Sequence, residues 1–494
     1  MSEREAQLES ELSELRLESK LLRDKVDALA QMIYGQKSER LDPNQLSLLA
    51  KLDSKKAEAP AAVEPTAGAA QKKARPKHNQ PRLPDHLPVE ETVLDPDEVK
   101  AAPDAWRLMG QEVSEQLDYQ PARFFKRRLI RRKFARKDMP YQPPLIAPLP
   151  PGLQERCLAA PSLIAHVVAS KYIDHLPLYR QEQIYRQRHS VTISRQTLCR
   201  WTALATDWLE PIYNEMQRQQ MRSAYLQVDE TPIRYLEPGQ GKAPQGYFWV
   251  SNVPGGDVIY HWRSGRGANN LNEIVPKSFT GALQCDGYQA YPSFQKQRNE
   301  LIQLAGCWAH ARRKFFEAKE RDPKIVGWLL HQITQLYRIE KQLREARAGP
   351  TLRAAVRASK SDPILQRLKK AFIKLKPRYL PKSNLGKAIA YALSQWNTLE
   401  VFISNGMIEI DNNLVENAIR PSAIGKKNWL FIGSEASGKT SAIIYSIIES
   451  AKRHGIDPYA YLKYLLQALP RSTNHQIPSM TPAAYAKRHS KIAA

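Results

Sequence analysis

The sequence predicts a multidomain protein of mixed α+β and α/β type, built around a central α/β core. Three observations predict it. Apolar residues recur at alternating steps of four and three near the N-terminus, a stretch rich in Ala, Pro and charge follows, and strand-like and helix-like runs then alternate through the second half. The chain of 494 residues is long enough for about three domains. Its 74 Lys and Arg against 50 Asp and Glu give a net charge of +24, which favours a polyanionic partner, nucleic acid above all.

Residues 1–50 open with Leu8, Leu12, Leu15, Leu22, Val26, Leu29 and Ile33, a heptad pattern broken only at Ser19. That spacing predicts an N-terminal coiled coil, and with it a homo-oligomer. Residues 51–82 lack large apolar side chains and read as a flexible linker. Residues 83–147 read as a small basic β-rich domain. Within it "RFFKRRLIRRKFARK" (123–137) carries nine basic residues in fifteen, with Phe124, Phe125 and Phe134 among them. Arg123, Lys126, Arg127, Arg128, Arg131, Arg132 and Lys133 are therefore expected to meet DNA phosphates. Residues 155–218 read as a helical domain of helix-turn-helix type, in which Ser194 caps a helix presenting Arg195, Gln196 and Arg200 as groove or backbone contacts.

The core is expected over 219–435, with a helical insertion at about 318–400 and a helical C-terminal tail over 436–494. "AYLQVDETPIRYL", "GYFWVSNV" and "DVIYHWR" read as strands, "GANNLNEIVPKSF" as helix and "GALQCDGYQAY" as a further strand. A fifth strand then leads into a helix through "IQLAGCWAHARRKFFEA". This order matches a ribonuclease-H-like sheet, with Asp229 on the first strand and Asp286 at the end of the fourth. Glu416 lies in "IDNNLVENAIRP", whose Asn-rich start is expected to cap a helix. Carboxylates brought together in this way are what two-metal phosphodiester chemistry requires, since Mg²⁺ takes oxygen ligands and Mn²⁺ substitutes for it.

"GSEASGKT" (433–440) satisfies G-x-x-x-x-G-K-[ST], the pattern of a phosphate-cradling loop, with "NWLFI" (428–432) as a candidate strand before it. A nucleotide domain opens with such a loop, whereas the residues after Thr440 read as helices only. The match is expected to be a coincidence, with no ATP bound. Cys157, Cys199, Cys285 and Cys307 form no C-x-x-C pair, so neither disulfides nor a cysteine-built zinc site is expected. With no signal-like N-terminus and no spanning apolar run, the expected location is the bacterial cytoplasm, at the nucleoid when DNA-bound, and not a membrane.

"LQVDETPI", "LQCDGYQAY", "GCWAHARRKF" and "DNNLVENAIRP" followed by "GKKNWLFIGSEASG" resemble transposases of the insertion-sequence-66 family, within the DDE superfamily. So do "MIYGQKSERLDPNQLSLL" (32–49), "VSEQLDYQPARF" (113–124), "SKYIDHLPLYRQEQIY" (170–185) and "GIDPYAYLKYLLQALP" (455–470). The resemblance implies a DNA transposase that cleaves element ends and transfers strands. It also implies Asp229, Asp286 and Glu416 as catalytic metal ligands, with His310, Arg312 and Arg313 lining the site or the DNA path. Asp411 is the nearest rival to Glu416. Accessory proteins of the same element are expected partners. The family's cysteine zinc ribbon is missing its cysteines between the linker and the helical region, so the zinc-ribbon-like domain is expected to hold no zinc. The alternative is a catalytically silent DNA-binding protein derived from a transposase.

Overall fold

The computed structural model describes residues 123–134, 145–237, 239, 241, 243–298 and 301–490. The expected coiled coil, the linker and most of the basic domain lie outside the described residues. Residues from Ile130 onward belong to one compact unit, and residues 123–129 to a second.

In the larger unit, β1 (Lys133–Phe134) and β2 (Leu145–Ile146) form a short antiparallel pair. Three helices follow: α1 (Pro161–Tyr172), α2 (Leu178–His189) and α3 (Arg195–Gln220). The break between α2 and α3 is made by Ser190 in the left-handed region, φ 54°. Ser194 then caps α3 by accepting the Thr197 N–H at 3.3 Å. Leu198, Trp201, Ala205, Leu209, Ile212 and Met216, spaced by threes and fours, are all buried along one stripe of α3.

The sheet begins with the meander β3 (Tyr225–Tyr235), β4 (Gln245–Asn252) and β5 (Val258–Arg263). After α4 (Ala268–Ile274), β6 (Ala282–Gln284) lies parallel to β3. Helix α5 (Ala290–Gln297) leads to β7 (Gln303–Ala305), parallel to β6, and α6 (Trp308–Phe316) follows. The strand order is β5-β4-β3-β6-β7. Leu226, Val228, Trp249 and Leu283 pack with Leu271, Ile274, Tyr291 and Phe294, so α4 and α5 cover one face. The expected helix at "GANNLNEIVPKSF" stops at Ile274, ahead of Pro276, whose ring disfavours helical backbone in the residue before it.

A helical insertion follows, α7 (Pro323–Glu345), α8 (Pro350–Val356), α9 (Asp362–Leu375), α10 (Asn384–Ser394), α11 (Trp396–Leu399) and α12 (Val401–Ser404), and all of these but α8 share one core with α6 and with Tyr225, Ala282 and Ala305 of the sheet. Between α8 and α9 a π-turn at Arg357–Ser361 carries Arg357, which is fully buried against Glu340.

The chain returns to the sheet through α13 (Asn413–Trp429), β8 (Phe431–Ile432), α14 (Glu435–Arg453), α15 (Pro458–Ala468) and α16 (Pro482–Ser490). "NWLFI" is not the five-residue strand expected. Asn428 and Trp429 finish α13, Leu430 turns the chain at φ 64°, and only two residues pair with β3. Gly425 explains the persistence of the helix, because a Cβ there would overlap the Trp429 ring that folds back on it. Helix α14 shields the edge of β5 with serines spaced by four. Ser446 accepts the Tyr260 N–H at 2.8 Å, and Ser450 accepts the Val258 N–H at 2.9 Å. An edge strand satisfied in this way presents no open ladder to other chains.

Candidate active site

Strand register brings the two aspartates together. The last β3–β6 pair is Gln227 with Gln284; Asp229 lies two residues further along β3, and Asp286 two residues past the end of β6. In a parallel ladder, equal displacement keeps residues side by side and on the same face, with strands about 4.8 Å apart. Beyond Gln284 the sheet opens, and β8 joins β3 only at Arg234 and Tyr235. Asp229 and Asp286 therefore both lie beyond the last β3–β6 pair, at the carboxyl end of β6, the part of an open α/β sheet where ligands usually bind. Asp286 Oδ1 accepts the Tyr288 N–H at 2.9 Å, which turns the chain at that point.

Glu416 arrives from far along the chain, and a buried polar network determines where. Tyr225 and Gln227 share the face of β3 that bears Asp229. The Tyr225 hydroxyl accepts the Glu409 N–H at 3.0 Å, and Gln227 donates to the Asp411 carbonyl at 3.0 Å. Gln284 donates to the Glu409 carbonyl at 2.8 Å and to that of Gly306 at 3.1 Å. Segment 409–411 is thus fastened across β3 and β6, and α13 starts directly after it with Glu416 in its first turn. A carboxylate there is also favoured by the helix dipole.

The cap of α13 differs from the expectation. Asn412 holds the N-cap position without a side-chain cap bond. Asp411 accepts both the Asn413 N–H at 3.1 Å and its amide Nδ2 at 2.8 Å. This rival to Glu416 is occupied with holding the helix start.

The acids act on one another. Burial, then Glu230, Asp286 and Glu416 in turn, push the Asp229 carboxyl well above its ordinary value. His310, in the first turn of α6, places Nδ1 3.5 Å from Glu416 Oε1, and Arg313 lies 3.9 Å from Oε2. Arg312 sits with its guanidinium over the Phe316 ring. Glu416 Oε1 and His310 Nδ1 are buried without a hydrogen-bond partner. Crowded carboxylates with an unsatisfied oxygen are a donor set that fits a hard divalent cation.

Sequence reasoning missed Glu230 and its clamp. Its side chain is buried, ion-paired to Arg266 at 2.6 Å and accepting from the Tyr291 hydroxyl at 2.8 Å. The Arg266 guanidinium stacks on Tyr288, 3.8 Å from the ring centroid, beside the Asp286 turn. The signal was an acid directly after Asp229 in an apolar strand, whose alternation sends it to the opposite face.

The remaining candidates lie on other elements. Arg195 and Arg200 are exposed on the first turns of α3. Arg123, Lys126, Arg127 and Arg128 are exposed in the smaller unit; Arg131, Arg132 and Lys133 are exposed in the larger one, where Arg131 donates to the Ala147 carbonyl at 3.0 Å.

"GSEASGKT" is not folded as a phosphate-cradling loop. Ser434 caps α14 by accepting the Ser437 N–H, and residues 435–440 already form its first turns. Gly438 lies against the Trp262 indole, where a Cβ would come within 2.3 Å of a ring carbon. Lys439 pairs with Glu210 at 2.7 Å, both partly exposed. Lys439→Ala is accordingly expected to cost no more than about 1 kcal/mol. Gly438→Ala should cost about 1–3 kcal/mol by overpacking. Thermal melts of the two variants check this ranking; a phosphate loop would reverse it in any activity assay.

The comparisons place this architecture among transposases. A profile described as Transposase IS66 family matches residues 156–440, the IS66 C-terminal element matches 446–483, and a profile described as Transposase C of IS166 homeodomain matches 21–92. The chain belongs to the IS66 transposase family. It is 31% identical to the uncharacterized protein y4jD of Sinorhizobium fredii over 98% of both chains. It is 36% identical to y4qI of the same organism over 74% of this chain and 68% of that one. Transposases of the DDE family generally use divalent metal ions.

Proposed function

We propose that the protein is a DNA transposase that cleaves the ends of its insertion sequence and transfers them to target DNA. In this reading the core is a ribonuclease-H-like domain, and Asp229, Asp286 and Glu416 are its catalytic acids. The supporting observation is that acids on β3, just past β6 and in the first turn of α13 lie close enough for the charges of Asp286 and Glu416 to bear on Asp229. The strand order β5-β4-β3-β6-β7, with an antiparallel meander followed by two parallel strands, supports the same core.

Asp229, Asp286 and Glu416 would hold the divalent ions, Mg²⁺ or Mn²⁺. When bound, these ions supply activation of the attacking oxygen and neutralisation of charge on the leaving oxygen. The protein's own residues orient and restrain. The Gln227–Gln284–Glu409 network holds the helix of Glu416 against the strands, and the Glu230–Arg266–Tyr288 chain steadies the Asp286 turn. Arg313 and His310 hold Glu416 from the other side, and Arg313 offers positive charge to a phosphate entering the site. The exposed cations of 123–133, with Arg195 and Arg200, would carry DNA by counterion release. Pairing of two DNA ends by an oligomer, with accessory proteins of the same element, completes the assembly in the bacterial cytoplasm.

The test is Mn²⁺-dependent nicking, without ATP, of a plasmid bearing the DNA that flanks this gene. Asp286→Asn should reduce nicking about a thousandfold or more, several kcal/mol of transition-state stabilisation. DNA binding by the wild type with no cleavage, even with the element's accessory proteins added, would favour the silent DNA-binding alternative.

A further inference from the structure

One cluster shares Glu416 with the catalytic acids and adds a buried cysteine that has no part in that chemistry. Cys307, His310 and Glu416 place a sulfur, an imidazole nitrogen and a carboxylate oxygen within 4.8 Å of one another. Cys307 is buried at the start of α6 and His310 lies three residues on, so helical spacing puts both on one side of the first turn. Glu416 comes from the first turn of α13. The backbone N–H groups of His310 and Asn412 face the Cys307 sulfur. Two polar atoms here, His310 Nδ1 and Glu416 Oε1, lie 3.5 Å apart and are buried without a hydrogen-bond partner. Buried polar atoms are normally satisfied, so an unsatisfied imidazole nitrogen beside an unsatisfied carboxylate oxygen points to a missing ligand.

The donor set is not one that Mg²⁺ selects. A thiolate, an imidazole and one carboxylate, with room for water, is the set of an open zinc site. We propose that Cys307, His310 and Glu416 form a second cation site, for zinc, and that its occupation withdraws Glu416 from the carboxylates that hold the catalytic ions. The absence of zinc expected from the sequence concerns the cysteine-free N-terminal stretch and a missing Cys pair, whereas "CWAH" supplies one cysteine and one histidine at Cys-x-x-His spacing. The cation site stands on geometry alone, and its inhibitory role rests on the proposed transposase reading.

Cobalt(II) reports the site without activity. The full chain, with Cys157→Ser and Cys199→Ser to remove the two more accessible thiols, is titrated with Co²⁺ and then Zn²⁺. A sulfur-to-cobalt charge-transfer band is expected in the near ultraviolet, displaced by Zn²⁺. It should persist in Cys285→Ala and in Asp286→Asn, and vanish in Cys307→Ala. His310→Asn, at a partly exposed side chain, should weaken Co²⁺ binding at least about tenfold and covers the case in which Cys307→Ala does not fold. No band in the starting protein, or a band that survives Cys307→Ala, overturns the site.

In the nicking assay, Zn²⁺ should inhibit the Mn²⁺-driven reaction, and Cys307→Ala should raise the zinc needed by at least about tenfold. A band without inhibition overturns the regulatory half and leaves the site. A band with no nicking under any metal counts against the transposase reading and not against the site.

Discussion

Asp229→Asn is expected to make the metal-free protein melt a few degrees higher while abolishing metal-dependent nicking. Burial and three neighbouring acids raise the folded-state pKa of Asp229 above its ordinary value of 3.8. A carboxyl raised in this way favours the folded state when protonated. That contribution is complete below the unfolded pKa and is lost as pH rises through the folded one. Asparagine removes the charge and with it the loss, so the gain over wild type should appear near neutral pH and fade in acid. Divalent ions repay wild type for the same repulsion, and saturation at a hundred times Kd adds about 2.7 kcal/mol. The variant should show little of that increment. Because binding requires the carboxylate, Mn²⁺ affinity in wild type should tighten as pH rises. Melting curves with and without Mn²⁺ across pH test the set. A variant less stable than wild type at neutral pH without metal would show that Asp229 is a structural residue.

Glu340→Gln is expected to destabilise the insertion by about 3–5 kcal/mol, because it leaves the Arg357 charge buried without its counter-charge. Arg357 Nε and Nη2 each meet a Glu340 oxygen at 2.7 Å, and Nη1 donates to the Phe402 carbonyl at 2.7 Å. Arg353 links Glu340 at 3.2 Å to Glu409 at 2.9 Å. The pair therefore continues into the segment that positions Glu416, and nicking should fall along with stability. Burial alone would raise the Glu340 carboxyl, but Arg357 and Arg353 outweigh it and hold the group below its ordinary value. Its contribution is present above the unfolded pKa of about 4.5 and is lost as pH falls through the folded one. The double variant Glu340→Leu/Arg357→Leu should recover much of the loss, since apolar replacement of a buried pair is often neutral. Chemical denaturation at pH 7 and pH 4 measures both effects.

The helices and strands of the core were largely legible in the sequence. Threes and fours along α3 state which face is buried, the β-rich run of β3 states a strand covered on both faces, and Ser194 announces the start of its helix. Asp229 and Asp286 were legible as acids in apolar runs. Local pattern failed where a neighbour in space overrode it. "NWLFI" has strand composition, yet its first two residues finish α13, where Gly425 admits the Trp429 ring. "GSEASGKT" has the letters of a phosphate loop, but a serine cap and a glycine packed on Trp262 make it the start of a helix.

What the sequence by itself determined is the class of protein: its basic charge, its alternating elements and the family its motifs resemble. Tertiary structure alone decided which acids meet and what else meets them. Pairing across β3 and β6 reaches only as far as Gln227 and Gln284, and the side chains of those two residues hold the segment ahead of α13. Glu416, Cys307 and His310 become neighbours by that route. No spacing in the chain encodes such a meeting, because it depends on hydrogen bonds between strands and a helix more than a hundred residues apart.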